Sequence, residues 1–143
     1  MAAIKSYTDL EQSKKLAEIL PIESADMIYI LYRNGEKPQN GDENLSTVYE
    51  SDEHKWYWID IIDESWNMRI GEDIPCWSLA ALLDILSKTA HSIDEDGSVD
   101  LGDYKNIEWS LCLSNTDVGL FTASNPVDAC YKMIIKLHEI KML

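Results

Sequence analysis

Along the chain, apolar residues recur every second position in some stretches and every third or fourth in others, and this alternation predicts the elements. Thr8-Asp9-Leu10-Glu11 reads as a capping box, the Thr8 hydroxyl accepting the Glu11 amide while Glu11 reaches back to Thr8. Leu10, Leu16, Ala17, Ile19 and Leu20 then fall on or near one helical stripe. Pro21 stops the run, because the residue before a proline is pushed out of the helical region. A first helix is predicted from Asp9 to Leu20. Met27 to Arg33 is β-branched and aromatic and ends in the turn pair Asn34-Gly35, so it reads as a strand. A polar loop follows to Asn44, then a short strand from Ser46 to Glu50. Trp56 to Ile62 is apolar on both alternating faces, which suits a central strand covered on both sides.

Ile74-Pro75-Cys76-Trp77 leads into a helix over Ser78–Leu86, where Leu79, Leu82, Leu83 and Leu86 repeat at the spacing of a core-facing stripe. Ser98–Tyr104 and Ile107–Leu113 read as strands. In the second, Ile107, Trp109, Leu111 and Leu113 alternate with Glu108, Ser110, Cys112 and Ser114, so one face should be wet. Asn115-Thr116-Asp117 turns the chain into Val118–Ala123, completing a hairpin. The last helix is signposted by Asn125 as N-cap, Pro126 at the first helical position and Asp128 near the positive end of the helix dipole. The predicted order is α-β-β-β-α-β-β-β-α. It implies an α+β fold: a mainly antiparallel sheet of about five to six strands with three helices. At 143 residues the chain has the usual size of one globular domain.

Charge changes the picture by being regional. The chain carries 26 Asp and Glu against 12 Lys and Arg, for a net charge of -14. Between Asn34 and Asp103 there are seventeen acidic residues against four basic ones, which accounts for thirteen of those net charges. A field of one sign repels anionic partners and attracts cationic ones. Direct nucleic-acid binding is therefore disfavoured, since phosphate contact needs clustered Lys and Arg. A basic protein surface is the expected partner. No apolar run has the length of a signal peptide or membrane span, so no membrane contact and a cytoplasmic location are expected. Cys76, Cys112 and Cys130 are odd in number, widely spaced and set among apolar residues, as expected of free thiols in a reducing compartment.

Candidate chemistry is sparse. Ser92 to Asp103 follows part of an EF-hand calcium loop. Asp94, Asp96, Gly97, Asp100 and Asp103 stand at the third, fifth, sixth, ninth and twelfth positions. The first position is Ser92, the twelfth is a short Asp rather than Glu, and Tyr104 to Leu113 reads as a strand where the exiting helix belongs. Those departures favour an acidic, solvated turn, with no metal; the ligands of a calcium loop would be Asp94, Asp96, Asp100 and Asp103. His54, His91 and His138 lie far apart, and no paired Cys or His spacing suggests a metal centre. No phosphate-cradling glycine loop and no nucleophile elbow occur, so no cofactor and no catalytic residue are expected. Trp56, Tyr57 and Trp58, with Trp66 and Trp77, form either core packing, the preferred reading, or a recognition patch. Glu50-Ser-Asp-Glu53, Asp60, Asp63-Glu64 and Glu72-Asp73 offer carboxylates that either solubilise a face or imitate a phosphate backbone. The candidate binding surface is Glu50, Asp52, Asp63, Glu64 and Trp66.

Three segments carry a resemblance: Ser13 to Met27, Ile74 to Leu83 and Asn125 to Glu139, somewhat over a quarter of the chain. In these the chain resembles a family of small uncharacterised acidic proteins from gut anaerobic bacteria and their phages or mobile elements. The resemblance implies a bacterial or phage cytosol and a role in binding host machinery, and it transfers no residue roles. The expected function is that of a non-enzymatic macromolecule-binding protein. The alternative is an acidic, nucleic-acid-mimicking inhibitor of a DNA-binding protein. Third stands an enzyme whose site is assembled from distant residues.

Overall fold

The computed structural model describes residues 6–33, 46–50, 54–60, 74–104 and 108–143. The chain divides into two compact units, Asp9–Trp77 and Met1–Thr8 with Ser78–Leu143. Both combine helix with antiparallel sheet, so the fold is α+β, as expected.

In the unit Asp9–Trp77, helix α1 spans Leu10–Ala17. Its cap is Asp9 rather than Thr8. The Asp9 Oδ1 accepts the Gln12 N–H at 2.8 Å and the Gln12 Oε1 accepts the Asp9 N–H at 3.1 Å. The capping box thus exists one residue further on than the sequence suggests. A carboxylate at the cap takes the amide and also meets the positive end of the helix dipole, whereas Thr8 is buried. The helix ends three residues before Leu20. Leu16 O accepts from both Ile19 N–H (2.9 Å) and Leu20 N–H (2.7 Å), and Pro21 then heads a single 3-10 turn, Ile22–Ser24.

The sheet of this unit runs β2-β3-β1-β4, from strands β1 (Met27–Arg33), β2 (Ser46–Glu50), β3 (His54–Asp60) and β4 (Ile74–Cys76). β1 pairs with β3 from Met27↔Asp60 to Arg33↔His54, and with β4 from Met27↔Cys76 to Tyr29↔Ile74. β1 and β2 have the bounds the sequence predicts. β3 begins two residues early, and the expected extension over Ile61 and Ile62 lies outside the described residues. β4 is a strand where the sequence pattern shows only a lead-in to the next helix. Pro75 is tolerated in it because, among the described residues, β4 is an edge, where one side needs no donor. Met27, Ile28 and Tyr29 are all buried in succession, so β1 is covered on both faces at this end. Helix α1 packs against β4, and Leu16, Leu20, Cys76 and Trp77 complete the core.

The other unit contains helix α2 (Leu79–Ile93), strands β5 (Val99–Tyr104), β6 (Glu108–Leu113) and β7 (Phe121–Ala123), and helix α3 (Pro126–Glu139). Ser78 caps α2 by accepting the Ala81 N–H, and Ser6 O takes the Leu79 N–H at 2.9 Å. Two first-turn amides that the helix cannot satisfy are thereby paired. The strands form an antiparallel sheet in the order β5-β6-β7. One antiparallel sheet was expected from the strand order; the strands instead divide between two, because alternation reveals strands but not their partners. Helix α3 lies against β6 and β7, α2 against β5 and α3. Leu82, Leu86 and Ala90 from α2, Leu111 and Leu113 from β6, and Val127, Cys130, Met133, Ile134 and Leu137 from α3 are buried.

Helix α3 starts as the sequence says. Asn125 Oδ1 accepts the Asp128 N–H at 2.9 Å, and the Asn125 Nδ2 donates to Asp128 Oδ2 at 2.7 Å. Asn125→Ala should cost about 1 kcal/mol in urea unfolding, whereas Asn125→Ser, which still caps, should cost a few tenths at about most. Equal losses would refute the cap. The helix ends in a Schellman motif, with Met142 N–H on Leu137 O (2.8 Å) and Lys141 N–H on His138 O (3.1 Å). Lys141 takes the left-handed position, φ 61°, usually left to glycine. Among the described residues no helix is long and apolar enough to cross a membrane.

Candidate functional site

Two groups of residues carry the sequence-based expectations. In the acidic and aromatic group, Glu50 closes β2 opposite Lys55 of β3, while Asp52, Asp63, Glu64 and Trp66 lie outside the described residues. Trp56 and Trp58 hold alternate backbone positions of β3, Trp56 opposite Leu31 and Trp58 opposite Tyr29 of β1. Trp77 is core. It is fully buried, and its indole N–H donates to Ser24 Oγ at 2.9 Å, which in turn donates to Pro21 O at 2.6 Å. A buried indole needs such a partner, and here it comes from a turn set up by Pro21.

The second group is the acidic stretch Ser92–Asp103. Ser92 Oγ is tied to Thr89 O at 2.8 Å, within the last turns of α2. Asp94 closes α2, its N–H on Ala90 O at 3.0 Å, and its Oδ1 accepts the Asp96 N–H at 2.8 Å. This is an Asx turn: the carboxylate most deeply placed in the loop shapes the backbone. Gly97 N–H returns to Asp94 O at 2.7 Å. Ser98 then joins Ser114 at the far end of β6, with Ser98 N–H on Ser114 Oγ (2.9 Å) and Ser114 N–H on Ser98 O (2.9 Å). From there the chain is extended. Asp100 pairs with Cys112 and Asp103 with Trp109. An EF-hand loop must curl its twelfth residue back toward its third and fifth. Here residues 100 to 103 instead advance about 10 Å along a strand. Among the described residues no three His, Cys, Asp or Glu side chains are gathered closely enough to hold a metal ion.

The ladder also fixes which backbone groups β5 keeps for itself. Ser98 and Ser114 stand opposite each other and are hydrogen-bonded. In an antiparallel pair such positions alternate, so Asp100 and Gly102 turn their N–H and C=O toward β6. Val99, Leu101 and Asp103 turn theirs to the other side. β5 is the outer strand of its sheet, and among the described residues no strand pairs with that side. The strand pattern of the sequence does not by itself disclose this edge. The signal was present as aspartates inside a strand pattern, a common guard on sheet edges.

Reactive side chains are dispersed. Cys76 and Cys130 are buried and Cys112 is half-buried on β6. Burial pushes the Cys130 thiol up to about 12, away from the reactive thiolate. His91 and His138 are exposed on different helices. Compared with protein-family models, with curated proteins and with solved structures, the chain matches none.

Proposed function

We propose that this chain is a non-enzymatic recognition protein whose acidic middle stretch engages a basic protein surface. The observation that carries this reading is regional charge: thirteen of the fourteen net negative charges fall between Asn34 and Asp103. A field so concentrated raises the rate at which cationic partners arrive and selects against anionic ones. Trp77 is core and so takes no part in a recognition patch, and burial keeps the Cys130 thiol out of solvent, which leaves the acidic stretch as the feature this reading rests on. A bacterial cytosol, including that of a phage's host, is the setting in which such a partner would be met. The acidic clusters from Glu50 to Asp73 favour one variant of this reading, in which the chain occupies the groove that a basic protein uses for DNA.

The test is capture from a bacterial lysate at low and moderate salt. It compares the native chain with a variant carrying Glu50→Gln, Asp52→Asn, Asp63→Asn and Glu64→Gln. The captured proteins should be basic and should be released as salt rises, because screening shortens to about 8 Å at physiological ionic strength. The amide variant keeps the shape and should lose most of them. DNA should displace the captured proteins if the groove variant holds, and leave them in place otherwise. Capture indifferent to both salt and amidation would reduce the acidity to solubility and overturn the reading.

A further inference from the structure

We infer that the outer edge of β5 is a docking site for an extended basic segment of a partner protein, which adds to the β5-β6-β7 sheet as a further antiparallel strand. The inference rests on the proposed recognition of basic proteins and locates a site for it. Three observations meet on this edge. The first is open hydrogen bonding: the N–H and C=O groups of Val99, Leu101 and Asp103 point away from β6, and among the described residues no strand takes them. Strand addition uses such a row of main-chain donors and acceptors for its affinity.

The second is charge. From Thr89 to Tyr104 the sequence carries Asp94, Glu95, Asp96, Asp100 and Asp103 and no Lys or Arg. Asp100 is exposed on the strand itself. This decides between two occupants. A second copy pairing β5 with β5 would lay one acidic run without Lys or Arg beside another, and repulsion between fields of one sign opposes that. Lysine or arginine on the incoming strand meets Asp100 favourably.

The third is relief on the faces. A Cβ at Gly102 would meet nothing within 4 Å, so the surface beside Asp100 has room for a long basic side chain. On the opposite face, Val99 and Leu101 stand across from the buried Leu113 and Leu111 and are themselves only partly covered. Apolar residues on the incoming strand would extend that row. The edge therefore selects an alternating pattern, basic opposite Asp100 and Gly102, apolar opposite Val99 and Leu101.

The probe is an end-blocked peptide of alternating lysine and valine, compared with the same peptide N-methylated at alternate residues, which keeps the charge but removes the donors on one edge. Amide spectra of the full chain should show the parent peptide shifting Val99, Leu101 and Asp103. The methylated peptide should bind at least roughly tenfold more weakly, since several main-chain bonds are lost. Val99→Pro removes an outward N–H without breaking a β6 bond, and should weaken the parent peptide to a similar degree. Asp100→Asn should weaken it less. Equal binding of the two peptides, shifts away from β5, or no binding of the parent would each overturn the inference. So would a concentration-dependent dimer, seen by sedimentation and split by Val99→Pro, because it would put a second copy on the edge. The peptide comparison needs no variant, so it stands even if Val99→Pro unfolds. The four-residue amide variant reads the wider proposal separately: lysate capture lost there but unaffected by Val99→Pro keeps basic-partner recognition while removing this edge.

Discussion

Leu82→Ala should destabilise the chain by about 2–5 kcal/mol, a large share of the roughly 5–15 kcal/mol that holds a domain of this size together. Leu82 is fully buried on α2, along with Leu86 and Ala90. Truncation removes the transfer free energy of three carbons and leaves a cavity that α3 and the sheet can only partly fill. Leu83, one residue on, is half-buried, so Leu83→Ala serves as the internal comparison and should cost clearly less. Urea unfolding measures both. The midpoint should move while the slope stays constant, which marks a change of stability rather than of the unfolded state. A Leu82→Ala loss under about 0.5 kcal/mol, the usual range for surface changes, would mean that this face of α2 is not core.

The same helix shows where local signals suffice and where they stop. Its stripe of leucines identifies the buried face, yet the helix runs to Ile93 and not to Leu86. The apolar period lapses at Ser87-Lys88, but the exposed Lys88–Asp84 pair (2.8 Å) and the buried Ala90 carry the helix onward. β1, β2 and the start of α3 were legible to the residue, because a β-branched run and an Asn-Pro cap are written within a few positions. β4 was not. Three residues containing a proline make no pattern of their own, and they become a strand only by pairing with Met27–Tyr29, far back in the chain. The division into two sheets escaped for the same reason, since partner choice is a long-range property.

The candidate sites divide along the same line. Asp94 to Asp103 resembles a calcium loop in residue spacing, but spacing does not specify path. Once Asp94 is spent on an Asx turn and residues 99–104 pair with β6, the ligand positions are drawn out in a row. Trp77 illustrates the converse. Nothing near it in sequence distinguishes a surface tryptophan from a core one; its partner, Ser24, is 53 residues away. The open edge of β5 is legible only from the whole sheet, because a strand becomes an edge by what fails to pair with it.

Gly97→Ala should cost about 1–3 kcal/mol or more, the range for forcing an atom into filled space, whereas Gly102→Ala should be neutral or slightly stabilising. The two glycines lie five residues apart and differ in what surrounds them. A Cβ at Gly97 would overlap Ala90 O and sit 2.8 Å from Asp94 O and 2.9 Å from Ala90 C. All three are backbone atoms, so no side chain can swing aside. The two oxygens also hold the turn closed: Ala90 O accepts from Asp94 N–H at 3.0 Å and Asp94 O from Gly97 N–H at 2.7 Å. Making room for a methyl group therefore breaks the hydrogen bonds that end α2 and aim the chain into β5. At Gly102 nothing lies within 4 Å, and alanine restricts the unfolded chain more than glycine does. Urea unfolding ranks the pair, and amide exchange locates the damage, which should appear first at Asp94 and Gly97. The turn also sets where β5 begins, so Gly97→Ala should weaken the lysine–valine peptide while Gly102→Ala, which fills space beside Asp100, should weaken it only through crowding. Equal stability of the two variants would show that the turn yields freely, and that the close approach of Gly97 to the end of α2 does not hold β5 in place.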